Sequence, residues 1–282
     1  VEVILHLLLY YLIKNKESAY LRLSYLALST VLTILMSSVI LYSVLNSLNE
    51  FTRGGGISYE YASGLAINFK TLLSLLLPFS TVSVNSNEIY NLFGTDISMS
   101  NFFFGIIPLI FAIVGIIKSK SSLKLFFIAL IFMALCFGES LYLHKFLYNY
   151  VPGFNLFRFP AFFRFFFIFI MLVISAKSFN ERNNYKYLNR VTLIILLIII
   201  TIGIFTLINN NSNLYDFSNL YETVIRLNID SRIIINSIIQ IPILILFLIS
   251  ISKKTEHKSK FIIGLMLIEI IIAFQIYAPY TL

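Results

Sequence analysis

Charge is what this sequence has least of. Of its 282 residues only 12% are Asp, Glu, Lys or Arg, against 59% hydrophobic. Soluble domains carry about 25% charged residues, so half that density leaves too few polar groups to cover a globule in water. A soluble enzyme and a disordered chain are excluded. Cysteine is nearly absent: the single Cys136 sits in an apolar run and can form no internal disulfide, which excludes a disulfide scaffold. Tryptophan is missing altogether, leaving 17 tyrosines as the natural interfacial belt. No Gly-rich phosphate loop of the Walker type occurs, so ATP-driven transport by this chain alone is not expected. The net charge of +8 would point to nucleic acid only if the basic residues gathered on one soluble face. They are dispersed among connectors, and no nucleic-acid partner is expected.

What the sequence does have is long apolar runs. A membrane helix needs about 20 mostly apolar residues to cross a hydrocarbon core of about 30 Å. The pattern predicts an all-α fold, a polytopic transmembrane helical bundle in the lipid bilayer with about eight spans. The first, over 1–13, is truncated; the others cover about 25–48, 102–117, 123–138, 162–176, 191–208, 233–252 and 261–277. Residues 1–282 read as one transmembrane domain, and an incomplete one. The chain opens in mid-run at Val1 with no basic segment before it and no small-residue cleavage site after it, like the second half of a membrane helix. It is therefore expected to be an internal piece of a longer protein.

The connectors alternate in charge. One set carries 14 basic residues (Lys14, Lys16, Arg22, Lys118, Lys120, Lys124, Lys177, Arg182, Lys186, Arg190, Lys253, Lys254, Lys258 and Lys260) against the three acids Glu17, Glu181 and Glu256. The other set carries seven basic residues against eight acids. The positive-inside rule puts the first set in the cytoplasm. Loops at about 49–101, 139–161 and 209–232 then face outward, the C-terminus is extracytoplasmic, and the protein belongs to the cell membrane as a multi-pass chain. The inner connectors are short, so chemistry is expected on the outer face.

Several polar residues stand out. Glu269 lies in mid-span, where a charge costs about 2.5–3.5 kcal/mol on insertion scales. Gln240, near Pro242 on the preceding span, is its candidate partner, through either a structural hydrogen bond or a proton or ion pathway. In the first outer loop Gly54, Gly55 and Gly56 form either an anion nest or a flexible turn. Residues 59–79, ended by Pro78, read as an interfacial or re-entrant helix. Asp96 could bind a metal, act as a base, or cap a turn. His144 and Glu139 are five residues apart, a poor spacing for two ligands on one helical face, and no metal site is assigned. The strongest signal is the segment 152–164. There Arg158 and Arg164 flank Pro160 at the mouth of a span, amid aromatic and aliphatic side chains. A planar guanidinium suits phosphate, and an apolar rim suits a lipid whose phosphorylated head leaves its tail in the membrane. The alternative is a pair of arginines that snorkel and anchor a helix end.

Four stretches, 94–99 (GTDISM), 104–109 (FGIIPL), 154–164 and 275–282 (QIYAPYTL), resemble the YfhO-like family of bacterial multi-pass membrane proteins in sequence and in order. The resemblance runs from about Arg53 to the end. That family is similar to the C-type glycosyltransferases, which transfer a sugar from a polyprenyl-phosphate donor to an envelope glycopolymer or lipid acceptor on the outer face. The resemblance implies that Arg158 and Arg164 lie near the donor phosphate. Some relatives place the second arginine two residues after the proline, where this chain has Phe162. It also implies that the catalytic acid belongs to an outer loop upstream of Val1. Asp96 and Glu60 would be acceptor or metal contacts; no cofactor is called for beyond a divalent metal at such a site. Two other classes stay open: a transporter or lipid flippase, which requires a polar midplane cavity with broken helices, and a non-catalytic scaffold of an envelope-polymer assembly.

Overall fold

The computed structural model describes residues 19–47, 56–82, 86–181, 185–209, 227–252 and 258–277. Among them there is no strand: the fold is all-α, a polytopic helical bundle. Where the sequence reads as one domain, the chain divides into two compact units, Val1–Ile57 and Ser58–Leu282. In the first, helix α1 (Ala19–Ser47) holds the apolar stretch Ala27–Ile40, whose Met36, Val39 and Ile40 are exposed in the manner of a lipid-facing helix. The expected span at 1–13 lies outside the described residues.

In the second unit α2 (Tyr59–Ala62) and α3 (Ser86–Phe93) are short. Then come α4 (Ile106–Lys118), α5 (Lys120–Cys136), α6 (Tyr142–Tyr150), α7 (Arg164–Asn180), α8 (Tyr185–Asn209), α9 (Ile229–Ser252) and α10 (Lys258–Tyr277). Four stretches are long and apolar enough to cross a membrane: Pro160–Asn180, Lys186–Asn209, Ile229–Ser252 and Lys258–Ile276. This corrects the expectation of about eight spans to four among the described residues, or five if α4 and α5 count together. Those two helices meet at Ser119 with a bend of 118°. At 13 and 17 residues they are about 20 and 25 Å long, each too short to cross alone without tilt or thinning.

Helix α4 is the centre of the bundle. Nine of its residues are buried, and a helix that is apolar all round belongs inside. Ile106, Ile107, Ile110, Phe111 and Val114 pack with α8, α9 and α10; Leu109 and Ala112 pack with α5 and α7. Small residues let these helices approach closely, as bilayer packing favours. A Cβ on Gly115 of α4 would lie 3.1 Å from both Ile174 and Ser178 of α7, and one on Gly203 of α8 would lie 3.1 Å from Ser237 of α9. Hydroxyls within the helices bond back to their own turns, as Thr192 does to Leu188 and Ser237 to Ile233, so they impose no polar cost on the membrane interior.

One end of the unit is basic. There Lys177 donates to Ser119 and Ser121, Lys118 lies 3.5 Å from the Tyr187 ring, and Lys258 donates to the carbonyl of Ile251. The other end holds the broken segments. The helix expected over 59–79 is not one helix: α2 is followed by 3-10 turns at Phe69–Leu75 and Pro78–Thr81. Ser74 accounts for part of this, because its hydroxyl bonds to Thr71 and accepts from the Phe102 N–H at 2.8 Å. Ser100 donates to the Thr81 carbonyl at 3.0 Å. Irregular backbone survives at membrane depth only where protein groups satisfy it in this way.

Candidate functional site

Two places concentrate polar chemistry. The first is at the start of α4. Helix α4 begins at Ile106, about 20 Å from the basic end by its length, and Gly105 before it has φ +105° and supplies no side-chain cap. Pro108 sits in the first turn, where a missing N–H costs nothing. The orphan donors are met by a residue from the far end of the sequence: Glu269 of α10, 1% exposed, accepts from the Ile106 N–H at 2.5 Å and the Ile107 N–H at 3.4 Å. A carboxylate at a helix N-terminus is favoured by the helix dipole and by charge-assisted hydrogen bonding. The expected partner of Glu269, Gln240, lines the same cavity but is not its hydrogen-bond acceptor or donor; backbone donors win because they have no other acceptor.

That cavity, about 10 Å3, is walled by Pro78, Phe79, Asn236, Gln240 and Glu269 among others, room for about one water. Arg232, Asn236 and Gln240, spaced four apart on α9, put polar side chains on one helical face, each 2% exposed. Asn236 Nδ2 and Gln240 Oε1 meet no partner among the described residues. The sequence reading treats Arg232 as an outer-loop charge; it belongs to α9, because Asn228 Oδ1 accepts from the Ser231 N–H at 2.9 Å and starts the helix early. Arg232 and Asn236 are the buried polar residues that reading misses. Their four-residue spacing before Gln240 was the available signal.

The second place is the arginine segment. Gly153 takes a left-handed conformation (φ +80°), a 3-10 turn follows at Phe154–Leu156, and another at Pro160–Phe163 leads into α7. Between them Phe159 has φ +67°, a conformation that costs an aromatic residue energy and that gathers at functional sites. Arg158 Nη1 donates to the Tyr61 hydroxyl at 2.7 Å, and its guanidinium lies 3.8 Å from the Tyr61 ring and 4.4 Å from the Phe159 ring. Its Nε meets no acceptor among the described residues. The guanidinium is thus held by rings and a phenol rather than by a carboxylate. Phe157, next in the chain, and Phe162, packed edge-on against Phe159, are exposed beside it, whereas Phe165 lies 4.7 Å from the Arg164 guanidinium.

Arg164 goes elsewhere. It is 6% exposed and donates through Nη2 to the Ser98 carbonyl at 2.5 Å. Ser98 in turn donates its N–H and hydroxyl to Asp96 Oδ1, at 2.8 and 2.5 Å. Asp96 therefore closes its own turn and Arg164 pins it. Such a buried arginine positions the loop, and the two arginines have different partners: Arg158 the Tyr61 hydroxyl, Arg164 the Ser98 carbonyl. Glu60 is exposed in the first turn of α2, next to Tyr61. Asp96 and Arg164 are joined through Ser98, and Arg158 is joined to α2 through Tyr61, the chain neighbour of Glu60.

Beside α2 lies His144, 3% exposed, its ring 5.8 Å from that of Tyr59 and 5.4 Å from that of Phe154. Burial pushes its pKa below the ordinary histidine value. Tyr59 is pushed up, first by burial and then by the charge of Glu139, so both are neutral near pH 7. Among the described residues no group of three or more His, Cys, Asp or Glu could hold a metal ion.

The fold and composition define a helical membrane protein. Comparison with protein-family models, with curated proteins and with solved structures finds no significant match for the chain.

Proposed function

We propose that this chain is the membrane domain of a glycosyltransferase of the YfhO-like type, using a polyprenyl-phosphate-linked sugar on the extracytoplasmic face. In this reading the basic end faces the cytoplasm, by the positive-inside rule, and the protein spans the cell membrane several times with its C-terminus outside. The observation that carries it is Arg158: a guanidinium stacked between Tyr61 and Phe159, beside strained backbone and exposed phenylalanines, with no carboxylate partner among the described residues. The rim suits a polyprenyl tail. The planar fork suits the phosphate on which charge grows as the sugar departs, and such stabilisation is the largest single term in many enzymes. Arg164 and Asp96 hold the neighbouring turn, Glu60 faces the acceptor side, and the acceptor is an envelope glycopolymer or lipid. The test is sugar transfer from a polyprenyl-phosphate donor in membranes carrying the protein. Arg158→Ala is expected to lower transfer by about 100-fold or more at unchanged membrane expression, and normal transfer would end the phosphate role.

The cavity beside Glu269 favours a second reading, proton-linked transport. A helix start capped by a buried acid, and two buried amides with unmet hydrogen bonds, are what a transporter needs at its midplane. Proton-coupled uptake in vesicles that disappears with Glu269→Gln would put this reading first; its absence, with transfer intact, would remove it.

A further inference from the structure

The basic end holds a cleft that neither reading uses. Its volume is about 30 Å3, and its lining includes Phe111, Ser178, Phe179, Glu181, Lys258 and Ser259. Lys258 and Ser259 form the first turn of α10, a helix of 20 residues. The N–H groups of a first turn have no intrahelical acceptor, and with the helix dipole they attract phosphate. A second and independent feature points the same way. Ser178, on α7, is 4% exposed, lines this cleft, and its hydroxyl meets no hydrogen-bond partner among the described residues. A buried orphan hydroxyl costs about 1–3 kcal/mol, and an acceptor supplied from outside the chain would remove that cost.

Composition and surroundings name the class of acceptor. Lys118, Lys177, Lys186, Arg190, Lys258 and Lys260 belong to the connectors and helix ends of this end of the molecule, against the one acid Glu181 among the described residues there. Basic clefts between membrane helices suit phospholipid headgroups. Phe179 of the lining, only partly buried, gives an acyl chain an apolar contact, which a free anion would not use. Glu181, exposed at the cleft, can accept from a hydroxyl or ammonium of the headgroup.

We infer that the cleft between Ser178 and the first turn of α10 binds the phosphodiester of a membrane phospholipid whose headgroup also carries hydrogen-bond donors, as phosphatidylglycerol does. Lys258 and Ser259 meet the phosphate, Ser178 donates to it, and Glu181 meets the glycerol hydroxyls. This site is separate from Arg158 and from Glu269.

The experiment is thermal unfolding of the purified full chain in neutral detergent, with added short-chain phosphatidylglycerol, with diacylglycerol, or with inorganic phosphate. Phosphatidylglycerol is expected to raise the midpoint by about 5 °C at saturation, and diacylglycerol to leave it unchanged. The rise should fall by at least half in Ser178→Ala and in Lys258→Gln and persist in Lys145→Gln, at the other end of the unit beside Tyr59. Ser178→Ala removes an unsatisfied hydroxyl, so its lipid-free midpoint should not drop and the comparison survives. An equal rise in all variants, no rise in the wild type, or the same rise with inorganic phosphate alone would each overturn the lipid site, the last by assigning a free-anion site in its place.

Discussion

Replacing Glu269 by alanine should destabilise the bundle far more than replacing it by glutamine. The wild-type carboxylate accepts the Ile106 N–H at 2.5 Å and, more weakly, the Ile107 N–H at 3.4 Å, at a site that is 1% exposed. Gly105 offers no side-chain cap. Alanine leaves the first donor buried without an acceptor, at about 1–3 kcal/mol, and loses a hydrogen bond to a charged group, itself worth about 1.5–3 kcal/mol. These overlap, so the expected loss is about 2–4 kcal/mol. Glutamine keeps an acceptor oxygen and gives up only the charge assistance, which roughly doubles such bonds; its loss should be about 1 kcal/mol. Reversible unfolding in mixed micelles of mild and denaturing detergent, followed by circular dichroism, measures both. An alanine variant within about 0.5 kcal/mol of wild type would refute the capping role. Equal losses for alanine and glutamine would show that charge, not the acceptor, matters.

Three further predictions follow from other parts of the molecule. Gly94→Ala should destabilise by several kcal/mol, since φ is +78° and the new Cβ would lie 2.4 Å from the Ala66 carbonyl oxygen; a thermal midpoint near wild type would contradict the packing of that turn. Asp96→Ala should cost about 1 kcal/mol through the lost turn bonds, and Arg164→Leu more, by freeing the Ser98 carbonyl; in a double-mutant cycle the two should be non-additive. Because burial holds the His144 pKa below its ordinary value, the unfolded chain takes up a proton that the folded chain resists. Stability is then full above the ordinary histidine value of about 6.5 and falls as pH drops below it. His144→Phe should flatten that dependence, and an unchanged pH profile would show that another group causes it.

The long helices were legible in the sequence, and the joints between them were not. α8, α9 and α10 are apolar over enough residues that hydropathy alone places them. α4 and α5 also look apolar, but nothing in 118–124 distinguishes a loop between full spans from the sharp bend at Ser119. The segment 59–81 contains enough leucine to suggest one helix; the Ser74 hydroxyl, which donates to the Thr71 carbonyl and accepts from the Phe102 N–H 28 residues on, diverts its backbone bonding. Glu269 could be flagged as costly from its place in a span, yet its partner is backbone 163 residues away, and pattern reading sees side chains rather than orphan amides. Gly105 followed by Pro108 was the available hint, a helix start without a local cap. The 152–164 segment was legible as a site, but its two arginines divide: Arg158 precedes Phe159, with its left-handed backbone, and bonds Tyr61, while Arg164 starts α7 and is buried against Ser98.

The proposed function rests on Arg158, and its most direct test is binding of a polyprenyl phosphate to the protein in lipid nanodiscs. A charge-assisted hydrogen bond to phosphate is worth about 1.5–3 kcal/mol, which is about 10- to 100-fold in affinity. Arg158→Ala should weaken binding by that factor, while Arg164→Leu, measured under conditions where it is folded, should weaken it little. Equal affinity of the wild type and Arg158→Ala would contradict the account.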